Sequence, residues 1–196
     1  MKPFEELLAE SVKAHGHLCA GQVIGVRMAM LGCKLLGIDD PKSREWHKNI
    51  IVFIEIDRCM TDAIQSVTGC QLGRRTMKFK DFGISAATFL NLKTNEAWRV
   101  LATETSRDLA HKYAGPGVTD PKEAQLVGYQ SMPDEELFEC AKVDVKLDPW
   151  HMPGPPARKA ICDACGQKVS DGREVERDNK VLCRICAGEA YFTPVQ

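Results

Sequence analysis

The sequence predicts an α+β protein, with a mixed or antiparallel sheet covered by helices, followed by a small C-terminal four-cysteine zinc ribbon. Three observations predict it. The run Ile50-Ile51-Val52-Phe53-Ile54-Glu55-Ile56 is β-branched and almost wholly apolar, the composition of a central strand buried on both faces. Segments whose apolar residues recur at helical spacing stand on either side of it. Two Cys-x-x-Cys pairs, Cys162/Cys165 and Cys183/Cys186, lie 17 residues apart beyond a proline-rich stretch.

The elements follow in order. Phe4, Leu7, Leu8 and Val12 fall on one helical face, opposite Glu5, Glu6 and Glu10, so 4–14 reads as a helix with Pro3 at its start. Gly16 breaks or bends it. Residues 18–36 form a second helix, apolar on most sides and therefore largely buried, stopped by Gly37. After a polar loop and the central strand, Cys59 to Val67 reads as a short helix ended by Gly69. Strands follow at 76–80, 83–92 and 97–103, with turns at Asp81-Phe82-Gly83 and Lys93-Thr94-Asn95-Glu96. Residues 104–113 and the segment from Pro121 to Tyr129 read as helices, the latter capped by Thr119 or Asp120. A short helix at 132–138 and a last strand at 139–147 complete the first domain.

The domain boundaries expected are 1–147, a linker at 148–156 and a ribbon domain at 157–196. Four of the nine linker residues are proline, which favours a semi-extended chain. With 196 residues the chain has room for a domain of about 150 residues and a small module. Lys and Arg number 26 and Asp and Glu 27, so the net charge of −1 gives no electrostatic case for nucleic acid or a membrane surface. The longest apolar-rich stretch, 23–38, is interrupted by Arg27 and Lys34 and does not suit a bilayer span. The acidic, amphipathic start is unlike a secretory signal, and a cytoplasmic location is expected.

Nine cysteines in a reducing compartment argue for metal or thiol chemistry rather than disulfides. Cys162, Cys165, Cys183 and Cys186 would close one tetrahedral shell, with Gly166 turning the first knuckle and a hairpin between the pairs. Zinc is the expected metal, and four thiolates also suit iron. From Ala157 to Ala187 seven basic residues are interspersed with five acidic ones, a mild +2. This suits a structural or protein-docking module better than a nucleic-acid stripe.

The second concentration of chemistry is His15-Gly16-His17-Leu18-Cys19-Ala20-Gly21. Imidazole and thiolate are transition-metal ligands, and a histidine beside a cysteine is also the partnership of thiol catalysis. In a regular helix His15 and Cys19 would share a face and His17 would turn away; a break at Gly16 lets His17 and Cys19 converge. Cys59, Asp62, Gln65 and Ser66 share one face of the short helix, with Cys70 just past its end. The expected second metal site is His17, Cys19, Cys59 and Cys70, holding a transition metal. Asp62 and Gln65 would orient ligands or a bound small molecule, and Arg27 would pair with Asp62 or receive an anion. His15, Gln65 and Arg27 are the candidate cofactor-binding residues; Cys19, Cys59, His17 and Asp62 are the candidates should the site be catalytic. Cys33 and Cys140 are expected in the core.

Two motifs carry a family resemblance. The first is His15 to Gly21 followed by Gly25-x-Arg27. The second is Cys59-x-x-Asp62-Ala63-Ile64-Gln65 with Thr68-Gly69-Cys70-x-Leu72-Gly73. Together with the C-terminal cysteines they resemble the longer members of the FmdE family, named for a component of formylmethanofuran dehydrogenase. The chain departs from the family at Ala20, where proline is usual, and at Gln71 and Arg74, where threonine and lysine are frequent. The resemblance implies an α+β fold whose topology is similar to the catalytic domain of glyceraldehyde-phosphate dehydrogenases, and a homodimer with a cleft near the motifs. It also implies association with a molybdenum or tungsten oxidoreductase whose redox chemistry belongs to other polypeptides of the complex. The alternatives carried beside it are a metal-free Cys/His thiol enzyme, and a regulator whose ribbon binds nucleic acid or a protein partner.

Overall fold

The structure, a computed structural model, describes residues 1–195 and divides into two compact units, Met1–Val145 and Lys146–Gln196. The first unit opens with α1 (Phe4–His15) and α2 (Ala20–Leu35). It continues with β1 (Ile50–Ile54), α3 (Cys59–Thr68), β2 (Met77–Phe79), β3 (Ala86–Asn91) and β4 (Glu96–Ala102). It closes with α4 (Thr105–Ala114), α5 (Pro121–Ser131), α6 (Asp134–Leu137) and β5 (Phe138–Val143). The five strands form one mixed sheet in the order β2-β1-β3-β4-β5, with β1 and β2 parallel and the remaining neighbours antiparallel.

The β-branched run supplies an inner strand, as its composition demands, flanked by β2 and β3. The pleat sends Ile50, Val52 and Ile54 into one core with Ala87, Phe89, Val100 and the apolar faces of the helices. Helix α2 lies at the centre of that core and packs against α1, α3, α5, β3 and β4. Two glycines allow this. A Cβ on Gly32 would stand 2.3 Å from the Phe89 ring, and one on Gly25 would stand 2.5 Å from the Met60 carbonyl. Both α2 residues are therefore close-approach points, one to the sheet and one to α3. The Asp120 carboxylate caps α5 by accepting the Glu123 N–H at 2.8 Å, with Pro121 at the first helical position.

Two expectations about the cysteines part company here. Cys33 is buried in the core. Cys140 is exposed, because β5 is an edge strand whose residues after Phe138 are mostly exposed.

The second unit contains two small hairpins. β6 (Lys159–Ile161) pairs with β7 (Lys168–Ser170), and β8 (Val175–Arg177) pairs with β9 (Lys180–Leu182). The single hairpin expected between the cysteine pairs is thus split, since Lys168–Ser170 turns back to the strand before the first pair. Asp178 and Asn179 join β8 to β9 with positive φ at both positions, the geometry of a tight two-residue hairpin turn. In the proline-rich segment Pro149–His151 makes one 3₁₀ turn, and the Trp150 ring packs beside Gly172 and under Arg158.

Candidate metal centres

Helix α1 stops at Gly16, whose φ of 101° is left-handed and whose N–H reaches the Val12 carbonyl at 2.8 Å. The chain then runs extended to Cys19, which is the N-cap of α2. This break turns His15, His17 and Cys19 toward one point. Cys59, the first residue of α3, completes the group. One ligand atom from each of His15, His17, Cys19 and Cys59 lies within 4.8 Å of the others. The two imidazole rings are tilted at 40° with centroids 4.6 Å apart.

The His15 ring is held in a defined orientation. Its Nδ1 hydrogen-bonds the Asp62 carboxylate at 2.8 Å. Its Nε2 is buried and has no protein partner. A carboxylate on one ring nitrogen and an unsatisfied second nitrogen facing two thiols is the arrangement of a metal-ligating histidine. As free thiols the two cysteines suit nucleophilic work poorly. Burial first, and the neighbouring Cys19 second, push the Cys59 thiol up from its ordinary value. A metal would displace those protons, and the donor set of two imidazoles and two sulfurs fits zinc and its neighbours in the first transition row.

Gly21 and Gln22, both on α2, place Cys59 in this group. A Cβ on Gly21 would come within 2.9 Å of the Cys59 Cβ. Gln22 is fully buried; its Nε2 donates to the Cys59 carbonyl at 2.6 Å while the Ser11 hydroxyl donates to its Oε1. Sequence reasoning missed Gln22, although a glutamine on a helix apolar on most sides is itself a sign of a buried polar partner.

Four other residues expected at this site lie elsewhere or act differently. Cys70 is at the far end of α3, a ten-residue helix about 15 Å long, so it is not in the group. It is buried, its Sγ approaches the Ile50 carbonyl at 3.8 Å, and burial pushes its thiol up to about 11. Gln65 is on the same far end of α3 and is exposed. Arg27 does not pair with Asp62. Its guanidinium holds the end of α5 and the start of α6, donating to the carbonyls of Tyr129 and Met132 and to the Asp134 carboxylate at 2.8, 2.5 and 2.5 Å. Asp62 instead serves His15, which takes the position expected for Cys70. Replacing Asp62 with alanine should weaken first-unit metal binding about tenfold, the lower end of the usual 10- to 100-fold range because this carboxylate is more than half exposed. Competition against a chromophoric chelator measures this, and the ribbon metal should not respond.

The second centre is the four-cysteine group. Cys162, Cys165, Cys183 and Cys186 also lie within 4.8 Å of one another. The Cys165 and Cys183 sulfurs are 3.8 Å apart, matching the edge of a tetrahedron built on metal–sulfur bonds of about 2.3 Å. The Cys186 N–H points at the Cys183 sulfur at 3.4 Å, as in a metal knuckle. Backbone N–H groups, led by that of Cys183, lower the Cys162 thiol to about 6, toward the thiolate that metals take.

No helix among the described residues is long and apolar enough to cross a membrane. Residues 14–139 match the model of the family described as FmdE, molybdenum formylmethanofuran dehydrogenase operon. A protein of Archaeoglobus fulgidus named probable S-adenosyl-L-methionine-binding protein is 29% identical over 207 positions. That alignment covers 94% of this chain and 53% of the relative, so the chain spans about half the length of the curated relative it matches. The crystal structure of an FmdE-like protein of tungsten formylmethanofuran dehydrogenase, from Syntrophus aciditrophicus, has the same fold. Its TM-score is 0.61 at 19% identity, over 97% of this chain and 95% of that one. The family match takes in His15, His17, Cys19 and Cys59, and on it the chain belongs to the FmdE family.

Proposed function

We propose that this FmdE-family chain is a metal-binding accessory protein of a molybdenum- or tungsten-dependent oxidoreductase of the formylmethanofuran dehydrogenase type. It holds a transition metal through His15, His17, Cys19 and Cys59, and a structural zinc through Cys162, Cys165, Cys183 and Cys186. The observation that carries the first site is the His15 ring, fixed by Asp62 at Nδ1 and buried without a partner at Nε2 beside two thiols. Four protein ligands would fill a tetrahedral shell, which favours a binding or assembly role over catalysis, since catalytic zinc keeps a position open. The family and the name of the Syntrophus protein support the oxidoreductase association. A cytoplasmic homodimer completes this reading; light scattering on the full chain measures the mass.

The test is elemental analysis of the protein and of the Cys19→Ala, Cys59→Ala double variant. The expected result is loss of one metal equivalent while the ribbon keeps its own. Unchanged metal content would refute the first site. Rapid alkylation of Cys19 or Cys59 in protein shown to be metal-free would favour the thiol enzyme instead.

A further inference from the structure

The second family-like motif divides between two places. Cys59 and Asp62, at the start of α3, belong to the metal group. Gln65, Ser66 and the Thr68-Gly69-Cys70 turn, at its other end, line a separate cavity of about 320 Å³. That volume is at the lower end of small-molecule sites. The remaining wall comes from the polar loop before β1 and from the turn after Cys70. These contribute Lys42, Trp46, His47 and Arg74.

The lining is one-sided in charge. Lys42, Arg74 and His47 face the cavity, and none of the lining residues is acidic. Glu10 lies just behind it and takes Lys42 Nζ at 3.1 Å, but it is shared with Lys2 and does not line the space. One Arg74 nitrogen donates to the Gly69 carbonyl at 3.4 Å, which orients a guanidinium that carries five donors and leaves others for a ligand. Ser66 and Gln65 add neutral hydrogen-bonding groups, and Trp46 adds an apolar plane. Lys93 covers Trp46, its Nζ 4.6 Å from the ring centroid, and adds to the positive surroundings. The buried Cys70 thiol stays protonated and serves as wall.

We infer that this cavity binds a small molecule through an oxyanion, a phosphate or a carboxylate, gripped by Arg74, Lys42 and His47. The site is distinct from both metal centres. Arginine and lysine around a pocket without carboxylates select an anion by charge, and arginine can add a bidentate geometry. The far end of α3 therefore reports on a second ligand, and the α3 helix links that ligand to Cys59.

Calorimetric titration of the full-length, metal-loaded protein tests this, with sodium phosphate and sodium acetate as separate probes and sodium chloride matched for ionic strength. Saturable binding in the phosphate arm identifies a phosphate-bearing ligand; saturable binding only in the acetate arm identifies a carboxylate. Arg74→Gln should weaken the binding about tenfold, consistent with loss of a charge-assisted pair. His47→Gln, an exposed change, should weaken it by a smaller factor and guards against misfolding of the arginine variant. Metal content and melting temperature of both variants should match the parent. No saturable heat with either probe, or binding untouched in both variants, overturns the inference. Failure of the first metal site alone would appear in elemental analysis and leave the anion titration unchanged, so the two readings fail separately.

Discussion

Replacing Cys183 with alanine should release the C-terminal metal and unfold the second unit while leaving the first folded. The reason is the near absence of any other source of stability there. Among the described residues from 146 onward only Cys162, Asp171, Cys183 and Ala187 are buried, and two of these are the sulfur ligands themselves. Two three-residue hairpins cannot hold together on ladder hydrogen bonds alone. A structural zinc site contributes an apparent 10 kcal/mol or more, so losing a ligand removes more than the unit can spare. Limited trypsin digestion checks this, because Arg158, Lys159, Lys168 and Arg173 offer cleavage sites throughout the unit. The variant, or the parent treated with a strong chelator, should be cut at these sites while a fragment near residues 1–145 persists. An unchanged digestion pattern together with unchanged metal content would show that the cysteines do not hold the unit.

The ribbon and the sheet were legible in the sequence because each is dictated by local chemistry. Two knuckles with turn residues between them leave few alternatives, and an uninterrupted β-branched run seldom forms anything but an inner strand. Helices α1 to α3 also fall near their expected bounds, since the glycines that end α1 and α3 adopt the left-handed geometry that stops a helix. The second hairpin pairing was not legible. Which strand Lys168–Ser170 joins depends on residues at 159–161, outside the cysteine spacing from which the hairpin is read.

The site was half legible for a geometric reason. Local density identifies His17 and Cys19, and the motif brings in Cys59. Proximity in sequence makes both cysteines of the second motif look like one cluster. A ten-residue helix lies between them, and its length puts Cys59 and Cys70 at opposite ends. A histidine ending a helix has no sequence mark for what its ring faces; only the packing of α3 on α1 supplies Asp62 as the partner of His15. The true partners of Arg27 are hidden for the same reason, since its three acceptors lie more than 100 residues away.

Replacing Arg99 with methionine should destabilise the first unit by about 3 kcal/mol, read from denaturant unfolding followed by helix signal. Glu55 follows β1, and Arg99 is on β4, on the sheet face turned away from Phe89 and α2. The pair is bidentate: the guanidinium donates from Nε and Nη2 to the two Glu55 oxygens at 2.8 and 2.7 Å. Glu55 is 5% exposed, so without the guanidinium its carboxylate stays out of water with no counter-charge. Arg99 retains some contact with solvent, which places the effect at the lower end of the range for broken buried pairs. The cost comes from the stranded carboxylate rather than from the lost attraction. Adding Glu55→Gln to the methionine variant should therefore recover a substantial part of the stability, because it removes the uncompensated charge. Equal destabilisation in the single and double variants would place the role of Arg99 in packing across the sheet instead.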